Sequence, residues 1–439
     1  MTTMSRALLY CTFNGIANCT NGIGRQAQTL LGAMSRRWDE LTALTGPFTP
    51  YVAIPEPGPA TWAYDPALLA ESRQVIEGRG GQVIPLRHDT RAEFWSPAVW
   101  KQLSQAAAGA AADLASRHDQ VGVIAVDTPF AGTGRAFLGR PAAPGQGSVT
   151  VLLAFYGTAR IHGHPAPDPG RLAWERASLA AAASPGVHVA DIGAFLTSHL
   201  AAAYGVREEQ FIAWRSSLDL TAPDLQPMAP GQAAAVAEAF GVPAGRPVIA
   251  AIGRTDPVKG LDLLIDALGP LRDRAHLVAV VVPFDGHDPL IDAYRRQITA
   301  RRLSATLVPQ FTRDLPRALA ALPATRAVAC PSRGETLANV PFEVALWARH
   351  GGPVVVGPDR DGFREQITHD RTGILYDPGQ PGALTAALAA ALDLAPAART
   401  RICDAAFRHA SAATDVVPNL ASALLRILPG AGTSARRTP

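Results

Sequence analysis

Two cationic side chains lie five positions apart in the segment Gly253-Arg254-Thr255-Asp256-Pro257-Val258-Lys259-Gly260. The segment follows an apolar run and precedes a helical pattern. In doubly wound folds, ligands bind beyond the carboxyl ends of the strands. An arginine there can fork two phosphate oxygens, a lysine can add a point charge, and the N-terminus of the following helix adds positive potential. A turn carrying two solvated cations is the plain alternative. Lys101 and Lys259 are the only lysines among 40 basic residues, so an ammonium at 259 stands out in a chain that otherwise uses arginine.

A second pair of groups is acidic. Glu335 and Glu343 are separated by the seven residues Thr336-Leu337-Ala338-Asn339-Val340-Pro341-Phe342. Proline suits the first position of a helix, which predicts Glu335 on a loop and Glu343 in the first helical turn. A carboxylate accepts two hydroxyl hydrogen bonds at once, so one acid can hold a vicinal diol and the other a further hydroxyl. For Glu343 alone, a purely local role at a helix N-terminus is an equal reading.

The elements that must position these groups alternate between buried strands and helices, the pattern of parallel βαβ units. Strands are predicted at Arg6–Cys11, Val121–Val126, Ser148–Phe155, Val187–Ile192, Val248–Ile252, Leu277–Val282, Arg326–Cys330 and Pro353–Val356. Apolar residues at helical spacing mark Ile23 to Met34, Gln102–Arg117, Thr197–Tyr204, Leu261 to Leu268 and Ala383–Leu394. Composition shifts to prolines and short polar stretches after position 215. The expected organisation is a first α/β domain over 1–215, a linker over 216–246 holding one helical patch, and a second α/β domain over 247–412. A helix over 413–428, crossing back to the first domain, and a disordered tail over 429–439 complete it.

The bulk numbers narrow the function classes. Apolar residues make up 48% and charged residues 18% of the 439 positions, a globular balance. A net charge of +3 without basic runs argues against nucleic acid. Cys11, Cys19, Cys330 and Cys403 show no C-x-x-C or zinc spacing, and free thiols in a reducing cytoplasm are expected. The apolar runs Ala7–Cys11 and His276–Phe284 are too short for a signal peptide or a membrane span.

Taken together, the two segments resemble the nucleotide-sugar site of the retaining glycosyltransferases of family 4, the glycosyl transferases group 1. That family has a G-R-x-x-x-x-K segment followed by an E-x7-E segment, each after a strand. Asp314-Leu-Pro-Arg-Ala-Leu, Pro331-Ser-Arg, Gly351-Gly-Pro-Val-Val-Val and Thr372-Gly-Ile-Leu are similar too. So is Gly22-Ile23-Gly24-Arg25 near the N-terminus. The resemblance covers about 170 residues of the C-terminal half well and the N-terminal half more loosely.

It implies the GT-B fold, two Rossmann-like doubly wound parallel-sheet domains facing across a cleft, with an acceptor domain first and a donor domain second. It also implies retention of configuration, no metal and no cofactor, with a UDP or GDP sugar as co-substrate. Arg254 and Lys259 would grip the diphosphate and stabilise its developing charge. Glu335 would orient the transferred sugar and Glu343 hold the ribose. The amides at Asn339 and Val340 would approach phosphate or sugar. Gly22 and Gly24 would let the first domain's backbone close over the diphosphate.

The chain also departs from the family pattern. Ala338 stands where glycine is usual, and Tyr156-Gly157-Thr158 where His-Gly-Thr is common. His162 or His164 then becomes a substitute imidazole or a plain loop residue. Asn14, Asp127 and Tyr156 join the two histidines as expected acceptor contacts. Phe94, Trp95 and Trp100 either line that pocket or pack in the core. Asp359-Arg360-Asp361 matches the D-x-D pattern of metal-dependent transferases, but it falls in a loop that varies in this family.

The family resemblance extends to enzymes of bacterial antibiotic pathways. These glycosylate aminocyclitols or, in lincosamide assembly, join the thiol ergothioneine to an activated octose. A nucleotide-sugar epimerase on the same fold and a non-catalytic nucleotide-sugar binder are the rival readings.

Overall fold

All six residues of Arg6–Cys11 are buried, as expected of a strand covered by helices on both faces. It is β1 of the computed structural model, which describes residues 4–19, 21–58, 61–141, 144–163, 166–283, 288–349 and 351–429. The chain divides into two units, Met1–Asp219 with Asp415–Pro439, and Leu220–Thr414.

In the first unit β1 is joined by β2 (Thr49–Pro55), β3 (Gln82–Leu86), β4 (Gln120–Val126), β5 (Ser148–Ala154), β6 (Val187–Asp191) and β7 (Phe211–Ala213). Their order is β3-β2-β1-β4-β5-β6-β7, and every pairing is parallel. The direction of chain travel reverses between β1 and β4. Cys11 lies beside Ala125, and Val126 beside Ala154, so these strands end side by side. After β1 the chain enters helix Gly22–Arg36, whose first turn is capped by Asn21 accepting from the Gly24 N–H at 3.0 Å.

The second unit is built the same way. Its strands are β8 (Val248–Arg254), β9 (His276–Val282), β10 (Ala305–Val308), β11 (Thr325–Ala329), β12 (Val354–Pro358) and β13 (Ile374–Tyr376). They are ordered β10-β9-β8-β11-β12-β13, again all parallel. Here the reversal falls between β8 and β11.

Within the stretch expected as a linker, residues from Leu220 onward belong to the second unit. Helix Pro230–Ala239 packs on helix Asp314–Ala321, with Met228, Ala233 and Ala318 in one apolar cluster. Arg317 Nε donates to Gln226 O at 2.5 Å, and Trp347 Nε1 to Asp224 O at 2.9 Å.

Helix Val416–Ile427 is part of the first unit's core. It presses Ile427 and Leu428 onto Gly122 of β4, where a Cβ would come within about 3 Å of them. Arg6, buried, donates to Leu428 O at 3.1 Å. Of the expected tail, only Pro429 lies within the described residues. Among those residues no helix is long and apolar enough to cross a membrane.

Leu424 is 1% exposed in this C-terminal helix. Leu424→Ala should destabilise the first unit by about 2–5 kcal/mol, the usual cost of a buried leucine cavity. Denaturant titration would measure it, and a loss under about 0.5 kcal/mol, as for a surface site, would mean that the helix is not part of that core.

Candidate active site

β8 runs two residues further than the periodicity predicts, through Gly253 and Arg254. The chain then makes a single turn, Pro257–Lys259, capped by Asp256 accepting from the Val258 N–H at 3.0 Å. Gly260, at φ +68°, leads into helix Leu261–Leu268. A side chain at 260 is excluded twice: by the left-handed backbone, and by Pro331 O, which would lie 2.2 Å from a Cβ.

That contact is the first sign that the loop after β8 rests on the loop after β11. The Arg333 N–H donates to Val258 O at 2.7 Å. The Arg333 guanidinium reaches Pro257 O at 2.6 Å and both carboxylate oxygens of Asp262. A fork of this kind fixes orientation as well as distance.

With the two loops locked together, the Lys259 ammonium donates to Glu335 Oε2. Glu335 is 6% exposed and Lys259 partly so. The Cys330 thiol lies close by. Burial pushes it up to about 12, Lys259 pulls it down and Glu335 adds to the rise, so it stays protonated. Arg254 stands at the end of β8 with its guanidinium 3.6 Å from the Asp256 carboxylate.

Helix Asn339–Trp347 begins earlier than Pro341 suggests, with Ala338 as the residue before it. Glu343 is therefore half-buried in the second turn, not in the first. Asn339 and Val340 occupy the first two helical positions, where main-chain N–H groups lack partners within the helix. Arg254, Lys259, Glu335, Asn339 and Val340 all lie at or just past the carboxyl ends of β8 and β11, at the reversal point of the sheet. Ligands of open α/β sheets bind at such points.

In the D-x-D triplet, the Asp359 carboxylate accepts from Arg364 Nε at 2.7 Å, and that of Asp361 from Arg360 Nε at 3.2 Å.

In the first unit Gly22 is exposed and Gly24 buried. A Cβ at 24 would lie 2.1 Å from Asn14 Oδ1 and 3.4 Å from Cys19 Cα. Packing inside the unit is thus sufficient reason for this glycine. The same contact shows Asn14, 2% exposed, enclosed beneath the helix start rather than presented outward. Of the aromatic group, Trp100 is core at 2% exposed and Trp95 is 51% exposed. Trp95 is held edge-on by Phe13 and Phe94 at centroid distances of 5.3 and 5.6 Å.

Tyr156 accepts from Trp214 Nε1 at 2.9 Å, and burial raises its phenol. His162 ends the short helix Ala159–His162 and folds its ring over Gly157, where a Cβ would meet Cε1 at 2.0 Å. His164 lies outside the described residues. Sequence reasoning missed Glu175, which is fully buried and holds this loop. It accepts from the Ala159 N–H at 2.9 and 3.0 Å, from Arg171 Nε at 2.8 Å and from the Tyr204 hydroxyl at 2.6 Å. Its only sequence signal is the i,i+4 spacing from Arg171.

Asp127 sits at the end of β4 at φ +58°, a backbone conformation uncommon outside glycine. It is 8% exposed, and its Oδ1 has no hydrogen-bond partner among the described residues.

Residues 246–393, within the second unit, match the family model of the glycosyl transferases group 1. The chain is 34% identical over 196 residues to the D-inositol 3-phosphate glycosyltransferase of Kribbella flavida. That match spans 43% of this chain and 45% of the relative's length. Among solved structures it is similar to sucrose-phosphate synthase from Thermosynechococcus elongatus, at TM-score 0.69 and 15% identity over 96% of this chain and 97% of that one. It is also similar to HepE from Anabaena in complex with UDP and glucose, at TM-score 0.65 and 17% identity over 95% and 97%. These likenesses show the fold, two parallel-sheet α/β units of the GT-B type.

Burial pushes the Asp127 carboxyl from its ordinary 3.8 up to about 6, against the pull of Arg171 and of the Thr128 and Tyr156 amides, with Glu175 adding to the rise. Between about pH 4 and pH 6 the folded protein then binds more protons here than the unfolded chain, so stability falls as pH rises through that window. Above the window the loss is complete and constant. Asp127→Asn removes it, so the variant's melting temperature should gain on that of the native chain across this interval. A difference that stays flat with pH would show an ordinary carboxyl.

Proposed function

We propose that the protein is a retaining, metal-independent glycosyltransferase that moves a sugar from a nucleoside diphosphate to a small polar acceptor. The observation that carries this reading is the meeting of Lys259 with buried Glu335 at the β8/β11 reversal point. It falls inside the stretch that matches the glycosyl transferases group 1.

On this reading the Lys259 ammonium turns from Glu335 to the diphosphate, and Arg254 joins it. Charge grows on the leaving diphosphate as the glycosidic bond breaks. Fixed cations aimed at that charge lower the transition state more than the ground state. Glu335, released from the lysine, accepts hydroxyl hydrogen bonds from the transferred sugar. Glu343 takes the ribose diol, and the amides of Asn339 and Val340 complete the cradle. The acceptor attacks from the face the diphosphate leaves, and the diphosphate takes its proton.

HepE was solved with UDP, which supports a UDP sugar over a GDP sugar. The Kribbella relative's name contains a cyclitol, which supports a cyclitol-like acceptor, an aminocyclitol included. A thiol such as ergothioneine is the other acceptor class. The setting we assign is bacterial specialised metabolism in the cytoplasm.

Calorimetric titration with UDP, GDP and ADP identifies the base. With the donor so chosen, Lys259→Ala should lower turnover by roughly 10²–10³-fold, the usual scale for a lost transition-state donor. Turnover at the native level in that variant would remove Lys259 from the chemistry.

A further inference from the structure

The loop that carries Glu335 is also held from a side that the two motifs do not include. The segment after β12 passes directly beneath it. The Gly362 N–H donates to Glu335 O at 3.2 Å. A Cβ on Gly362 would lie 1.5 Å from Thr336 O, so only glycine allows the two backbones to lie this close. Four residues on, Gln366 is 4% exposed and turns its amide into the same loop. Its Oε1 accepts from the Ala338 N–H at 3.2 Å, and its Nε2 donates to Ala338 O at 2.5 Å.

A single primary amide thus satisfies both main-chain groups of one residue, as a neighbouring strand would. Ala338 is the last residue before helix Asn339–Trp347. Its φ and ψ, −75° and 138°, set the direction in which that helix starts.

We infer that Gln366 is a positioning residue of the nucleotide-sugar site. By clamping the Ala338 peptide groups it fixes Glu335 on one side and the Asn339 and Val340 amides on the other. This rests on the donor site proposed above. On this inference Gln366 acts through the Ala338 backbone. Methionine at 366 would keep the length and fill the buried space but hold neither group of Ala338. The loop would then lose its register against the helix start, and small misplacements of binding groups are costly. The effect should concentrate on the transferred sugar, because Glu335 and the first helical amides are displaced while Glu343, a turn further in, is not.

The test is calorimetric titration of the full-length native chain and of Gln366→Met with UDP, UDP-glucose, GDP and GDP-mannose, with melting temperatures recorded for both proteins. The expected result is binding of the cognate nucleotide sugar weakened about tenfold, binding of its nucleoside diphosphate weakened about threefold or less, and a variant that remains folded. Gln366→Glu, which can still accept from the Ala338 N–H, should fall between the two and stands in should the methionine variant not fold. Equal affinity of the folded variant and the native chain for the nucleotide sugar overturns the positioning role and leaves the donor site standing. Equal losses for sugar nucleotide and nucleoside diphosphate would assign Gln366 to general folding instead. A native chain that binds none of the four nucleotides overturns the donor site and this inference with it.

Discussion

An ammonium and a carboxylate from loops 76 residues apart meet beside the carboxyl ends of two adjacent strands. Neither charge is fully exposed, and Glu335 is nearly enclosed. Taking such groups out of water costs free energy that a lone charge cannot offset. The pair therefore requires the two loops to be held in register before any ligand arrives. The fork of Arg333 on Asp262 and the bare Cα of Gly260 against Pro331 O supply this register, and the bare Cα of Gly362 against Thr336 O holds the Glu335 loop from the segment after β12. All three are steric or geometric constraints that charge attraction alone does not provide.

On the proposed reading the pair would let an anionic ligand enter with hydrogen-bond partners kept on both groups. In the free state lysine and glutamate neutralise each other. On the proposed reading a diphosphate would take over the lysine as sugar hydroxyls take over the glutamate, so that each group would exchange one partner for another. Arg254, at the end of β8 and within reach of Asp256, would make the same exchange on that reading.

Much of this was legible in the sequence because strand ends and charged residues mark themselves. β1, β4, β5 and β8 are apolar runs, and the two segments that follow β8 and β11 carry unusual charge at fixed spacing. The strands β2, β3, β7, β10 and β13 were not read. They are short, or broken by prolines such as Pro50 and Pro85, and periodicity has little purchase on them. Helices Pro66–Glu77 and Pro289–Ala300 were missed although Asp65-Pro66 and Asp288-Pro289 are regular start signals, and both aspartates do cap their helices. Glu343 was placed one turn too early because Pro341 was given the first helical position, whereas the helix begins at Asn339. The supports of the site, Arg333, Gln366 and Glu175, were hidden for a different reason. Apart from the i,i+4 spacing of Arg171 and Glu175 and the family-like Pro331-Ser-Arg, their roles lie in contacts with main-chain and side-chain atoms of other segments, which leave little pattern in a single chain.

The central claim is that Arg254 and Lys259 together hold a diphosphate. It is tested most directly by a crystal structure of the full-length chain with its nucleoside diphosphate bound. The account predicts phosphate oxygens at about 3 Å from the Lys259 ammonium and from the Arg254 guanidinium, with Lys259 no longer on Glu335. A diphosphate bound away from both side chains, with the lysine still paired to the glutamate, would contradict it.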